Sequence, residues 1–192
     1  MKNISACALP NNSFIQSSFR VIDYHDAFAG EFDLNRDISI DECVYAFFES
    51  APNWVNFLMN LRNKLVKNLG LKSSDVFDIN NQKADFKMEV ESGLGLFKIL
   101  QRSDQEVMMG EDDKHLNFRV SLLLNQVDSS TKYRLILSTA VKMNNWFGKL
   151  YFLPVKPIHK LIVPVMLRGI IRHLQNQKLY ALSPIDGANQ NR

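Results

Sequence analysis

The sequence predicts an α+β domain in which a curved antiparallel sheet wraps around a long C-terminal helix. Two patterns predict it. From Gly93 to Met143 apolar residues recur with a period of two, in runs joined by short polar turns. From Ile158 onward they recur at helical spacing, through Leu161, Ile162, Val165, Met166, Ile170 and Leu174. Strands joined by such short turns are antiparallel, because a parallel crossover needs roughly a dozen residues or more. A helical hairpin ahead of the strands completes the pattern.

Residues 1–18 are rich in Asn and Ser and show no period, so they read as a flexible N-terminal tail. A single domain is expected over residues 19–178, with a C-terminal tail over 179–192. Tyr24 to Asp33 alternates, with Phe28 and Phe32 on one side, and reads as a first strand. Ser39-Ile40-Asp41-Glu42 has the S-x-x-E form of a capping box, and Ile38 with Cys43 suits the hydrophobic staple. Ile40, Cys43, Val44 and Phe47 then share one helical face. Pro52 fits the first turn of a second helix burying Trp54, Phe57, Leu58, Leu61 and Leu65, with Gly70 as its C-terminal stop. Leu71 to Ser92 is mixed, with a turn at Asn80-Asn81 and a short strand expected around Phe86 to Val90.

Beyond Gly93, Phe97 and Ile99 share one face of a strand, and Glu106 to Gly110 forms the next. The turn Glu111-Asp112-Asp113-Lys114 leads into Leu116 to Leu122, whose even positions are apolar and odd positions mostly polar. One face of that strand is therefore expected dry and the other wet. Tyr133 to Met143 repeats the pattern through Leu135, Leu137, Thr139 and Val141. Asn144-Asn145 ends the last strand, and Pro154 and Pro157 punctuate the approach to the final helix. Pro164 within that helix costs a hydrogen bond and ~3 kcal/mol. It lies on a polar line with Lys160, Arg168 and Arg172, where water can satisfy the freed carbonyl.

Composition narrows the class. Of 192 residues, 46% are hydrophobic and 22% charged, as in ordinary soluble proteins. Thirteen Phe against five Tyr favour dry packing. A formal charge of +3 is too small to point to nucleic acid. Between Lys142 and Lys178 stand seven cations (Lys142, Lys149, Lys156, Lys160, Arg168, Arg172, Lys178) and no Asp or Glu. They are either the solvent face of a packed helix or an attraction to anionic lipid or another acidic partner. Two cysteines make no disulfide framework, which fits a cytoplasmic protein. Ile4-Ser5-Ala6-Cys7 looks like a lipoprotein cleavage box but lacks an apolar stretch before it. No transmembrane segment is expected, since no apolar run approaches ~20 residues; the longest, Leu161 to Leu167, contains Pro164.

The best cluster of chemically able side chains is Asp112, Asp113, His115 and Arg119. A carboxylate beside a histidine suits acid–base work, and Arg119 suits an anionic group. The competing reading makes the acids a solvated turn and the odd residues the wet side of their strand. The histidines His25, His115, His159 and His173 show no metal spacing, and no H-E-x-x-H, CxxC or G-x-S-x-G motif occurs, so neither metal nor cofactor is expected. Asp23 and Asp26 bracket Tyr24, inviting a site at the strand mouth, but nothing in the sequence pairs them with a base.

The order strand, helical hairpin, antiparallel meander and terminal helix is that of the helix-grip fold. The local wording is closer still, in Asp23-Tyr24-His25-Asp26-Ala27-Phe28, in Leu61-Arg62-Asn63 with Leu69-Gly70-Leu71, in Gly110-Glu111-Asp112-Asp113-Lys114-His115-Leu116-Asn117-Phe118-Arg119, and in Gly148-Lys149-Leu150-Tyr151 with Lys156-Pro157-Ile158-His159. From Asp23 to Arg172 the sequence resembles the bacterial family known as domain of unknown function 2867, itself similar to the START-like (SRPBCC) superfamily. That resemblance implies an apolar cavity between sheet and terminal helix for a hydrophobic small molecule or lipid. It also implies a possible nucleotide-binding partner protein in trans. A shared fold does not fix chemistry.

Three functions follow as expectations. In the first, Phe97, Phe118, Leu137, Val141, Leu161, Val165 and Met166 line a ligand cavity. In the second, Asp112, Asp113, His115 and Arg119 make a cyclase- or hydratase-type enzyme at the cavity mouth. In the third, the basic C-terminal helix binds a membrane surface or a partner. The sequence does not specify the oligomeric state.

Overall fold

The computed structural model describes residues 4–50, 89–94, 97–127 and 131–181, with side chains to residue 176. Their strands are β1 (Ile4–Ala6), β2 (Tyr24–Asp33), β3 (Gly93–Leu94), β4 (Phe97–Arg102), β5 (Glu106–Asp112), β6 (Leu116–Gln126) and β7 (Lys132–Met143). The helices are α1 (Ile40–Glu49) and α2 (Trp146–Ala181). The strands form one open sheet in the order β1-β2-β7-β6-β5-β4-β3, and every neighbouring pair is antiparallel. The α+β architecture read from the sequence, an antiparallel sheet with a long C-terminal helix, is the one observed. The expected second helix of the hairpin and most of the Phe86 to Val90 strand lie outside the described residues.

Register assigns the faces. Tyr24 pairs with Val141, Asp26 with Thr139 and Phe28 with Leu137, and those partners continue to Phe118, Val120 and Leu122. Directly paired residues point to the same side of a sheet. These even β2 positions and their partners therefore form one face, and α2 covers it. Phe32, Leu135, Leu137, Leu122 and Met109 join Met166, Leu167, Ile170 and Leu174 in one core cluster. The helix runs lengthwise along β2. Phe152 packs at a tilt against Tyr24 with ring centroids 4.9 Å apart, and Gln175 Nε2 reaches the Asp33 carbonyl at 3.5 Å. Between them, helix and sheet approach so closely that a Cβ on Gly30 would lie 2.5 Å from Ile171 Cδ1. Helix α1 fills the remainder of this layer, its Phe47 and Phe48 meeting Phe97, which meets Phe118. Its start carries the expected capping box, with Ser39 Oγ accepting from Glu42 N and Glu42 Oε1 accepting from Ser39 N.

Two expectations need correction. Residues 4–18 are not a loose tail: β1 pairs with β2, and a 3-10 turn at Phe14–Ser17 buries Ile15 completely. This arm lies on the sheet face away from α2, where Cys7 and Leu9 pack on Ala27, Ala29 and Ile136. It is pinned by the buried Glu106, whose carboxylate accepts from Ser13 Oγ, Ser121 Oγ and, at 3.1 Å, Phe14 N. The side of β6 expected to be wet is consequently covered, and Ser121 and Arg119 are buried.

The second correction concerns α2, which begins at Trp146 rather than Ile158. Pro154, Pro157 and Pro164 all lie inside it. At 100° per residue all three fall on the side away from the sheet, where water reaches the carbonyls they free. The longer helix has the length and apolar composition to cross a membrane, yet its core-facing side is committed to the sheet.

Candidate functional site

Two of the residues that define the helix-facing side of the sheet are polar. Asp26 and Thr139 are register partners near the start of β2, among aromatic and aliphatic neighbours. Asp26 Oδ2 accepts the Tyr24 hydroxyl at 2.6 Å and lies 2.9 Å from Nδ1 of His159, which α2 brings down onto the strand. The Asp26 side chain is 10% exposed and that of His159 is 21% exposed. The other carboxylate oxygen, Oδ1, is buried and has no hydrogen-bond partner. A buried acceptor without a donor costs about 1–3 kcal/mol, so its retention asks for a reason.

Each part has a local cause. Tyr24 and Asp26 are two apart on one strand, which puts both side chains on the helix side. His159 lies about two turns beyond Phe152, whose packing on Tyr24 fixes the phase of this part of the helix. The His159 ring also meets the Tyr24 ring edge-on, at 6.0 Å between centroids, and Lys156 Nζ stands 5.8 Å from the same Tyr24 ring. Burial pushes the Tyr24 phenol well above its ordinary range, and the hydrogen bond to Asp26 and the carboxylate charge push the same way. Tyr24 is thus a hydrogen-bond donor, not a phenolate. A carboxylate at Nδ1 favours a proton on that nitrogen, so that in the neutral ring Nε2 is the acceptor.

The sequence-predicted cluster takes a different form. Arg119 is spent on structure: Nη2 pairs with Asp112 at 2.8 Å, Nη1 donates to the Glu111 and Phe118 carbonyls, and the guanidinium lies 4.6 Å from the Phe19 ring centroid. Asp113 Oδ1 accepts from His115 N within the turn. The His115 ring contacts the Asn145 amide at 3.0 and 3.2 Å and packs on Phe147. The four do not converge on one point: His115 ties the β5–β6 turn to Asn145 and Phe147 at the start of α2, whereas Asp112 and Arg119 pair with each other beside Phe19. Of the expected lining, Phe97, Phe118, Leu137 and Met166 belong to the main core cluster, and Val141 packs with Tyr24 and Phe152. Leu161 and Val165 do not face the sheet, being 72% and 45% exposed. The packing of Phe152 on Tyr24 sets the phase of α2, and Val163, Met166 and Leu167 take the inward positions.

What the sequence left open was the partner of Asp26. It is His159, distant in sequence and brought near only by the lengthwise docking of α2, which no local pattern encodes. Among the described residues no group of three His, Cys, Asp or Glu stands close enough to hold a metal ion.

No curated protein matches the chain. Among solved structures it is similar to CalU16 from Micromonospora echinospora, with 7% sequence identity over 98% of each chain and a TM-score of 0.29, too loose to bear on function. A sequence family matches with far more weight, over residues 18–166, and it spans β2, α1, the whole meander and the first half of α2. The chain belongs to that family, described as "Protein of unknown function (DUF2867)".

Proposed function

We propose that the protein binds a small hydrophobic molecule or lipid between the sheet and α2, with Asp26, Tyr24 and His159 receiving its polar end. The observation that carries this reading is the buried, unpartnered Oδ1 of Asp26 in a largely apolar layer. Small-molecule sites are mostly apolar with a few placed polar groups, and a ligand hydroxyl donating to Oδ1 would supply the missing bond. Burial of apolar ligand surface at ~25 cal/mol per Å² would provide the affinity, while the polar trio sets orientation. START-like folds, which the sequence resembles, hold such ligands in the same layer.

Native mass spectrometry of the purified chain tests it. The expected result is a co-purifying apolar compound, or binding from a panel of hydroxylated lipids and polyketide-like compounds, weakened at least tenfold by Asp26→Ala. Clean protein that ignores the whole panel would overturn the reading.

The Asp26–His159 pair also favours a second reading, acid–base catalysis on the bound molecule, with His159 Nε2 taking the proton and Asp26 stabilising the imidazolium. In that case His159→Gln abolishes turnover and leaves binding intact; a panel of ligands bound but never converted counts against it.

A further inference from the structure

Helix α2 carries a second apolar face that the sheet does not use. Trp146, Leu150, Leu153, Ile158, Leu161 and Val165 are all exposed, with Trp146 at 73% and Leu153 at 72%. At 100° per residue they cluster on the side roughly opposite Phe152, Val163 and Ile170, which are buried. Only 17% of the helix's most apolar window is buried, whereas a helix serving only as a core element buries most of such a window. The row extends about 29 Å along the axis at ~1.5 Å per residue.

Its charge is of one sign. Lys160 stands at the edge of the row and Arg168 and Arg172 continue it past Val165; Lys149, Lys160, Arg168 and Arg172 are exposed, while Lys156 leans inward over the Tyr24 ring. No Asp or Glu occurs from Lys142 to Lys178. A protein partner's groove would have to envelop a convex row. A fluid bilayer receives one without any pocket, and its phosphates complement the cations.

We infer that α2 docks the protein on an anionic membrane surface, lying in the plane of the interface with this row sunk among the acyl chains and the cations at headgroup level. The helix does not cross the bilayer, because its opposite side holds the sheet. Leu161 and Val165, unsuited to a cavity under the helix, find their role here. This inference is independent of the ligand site: it rests on the outer side of α2, the ligand reading on the inner side.

Flotation of the full chain with vesicles tests it. Binding is expected to phosphatidylglycerol-rich vesicles and not to pure phosphatidylcholine, and to weaken steeply as salt rises from ~0.1 to ~0.5 M. Leu153→Glu with Leu161→Glu should reduce binding at least tenfold while circular dichroism and thermal midpoint stay as in the wild type. Lys160→Gln should reduce it about fivefold, one interfacial charge being worth ~1 kcal/mol. The salt series uses wild-type protein, so it stands even if a variant fails to fold. Absence of binding to anionic vesicles, binding untouched by the double variant, or a wild-type dimer that the double variant converts to monomer would each overturn the inference.

Discussion

The same substitution at two sites on α2 separates its inner and outer sides. Leu167 is fully buried against the sheet, beside Gly30, while Leu161 is 72% exposed. Truncating a buried Leu to Ala removes its transfer free energy and leaves a cavity, a combined cost of about 2–5 kcal/mol. The close approach at Gly30 limits how far the helix can settle into that cavity, so Leu167→Ala belongs in the upper half of the range, about 3–5 kcal/mol. Leu161→Ala removes a side chain that mostly meets water, and its cost should stay within about 0.5 kcal/mol. Urea unfolding followed by circular dichroism measures both, provided the slope with denaturant stays constant between variants. Equal losses at the two positions, or a larger loss at Leu161, would show that the helix is rotated about its axis and turns Leu161 toward the sheet. The Asp26–His159 contact would then be lost as well.

Other outcomes follow from the same packing. Ser39→Ala removes the side-chain half of the capping box on α1 and should cost about 1 kcal/mol in the same assay. Gly148→Ala places a Cβ against the rigid carbonyl of His115, so the start of α2 must move; a loss of about 1–3 kcal/mol is expected, against a slight gain if the site were open. Burial pushes the Cys43 thiol from its ordinary 9.0 up to about 12, so the folded state favours the neutral thiol. That contribution is complete below pH 9 and is lost as pH rises toward 12, by up to about 4 kcal/mol at 1.36 kcal/mol per unit. Cys43→Ala should therefore flatten the alkaline decline in stability, and an unchanged pH profile would contradict the assignment.

Most of the sheet was legible because half-buried antiparallel strands write their register into a period of two. The span Tyr24 to Asp33 was readable to the residue. The capping box named the start of α1 for a similar reason, since it is a local exchange of two hydrogen bonds. The N-terminal arm was not legible. It is held by Glu106 and by Ile15 inserting under the sheet, and a single buried apolar residue in a polar stretch has no period. The start of α2 was misplaced because Pro154 and Pro157 are ordinary helix breakers; both are tolerated here on the water-facing side. Leu161 and Val165 fell on the wrong face for a separate reason: this stretch is apolar nearly all round, and packing on the sheet selects Val163, Met166 and Leu167 instead. The cluster Asp112, Asp113, His115 and Arg119 attracted attention through chemistry alone, and a turn can gather charged residues for purely structural ends. Asp26 and Tyr24 were visible as a pair, but their partner His159 depended on how a helix lies across a sheet.

Long-range nitrogen–proton NMR of His159, before and after adding a hydroxylated lipid, tests the central claim most directly. The account predicts a ring whose Nδ1 carries a proton held by Asp26, and a displaced His159 signal when the lipid binds. A ring with a bare Nδ1 and its proton on Nε2, or a His159 signal indifferent to a lipid that demonstrably binds, would contradict it.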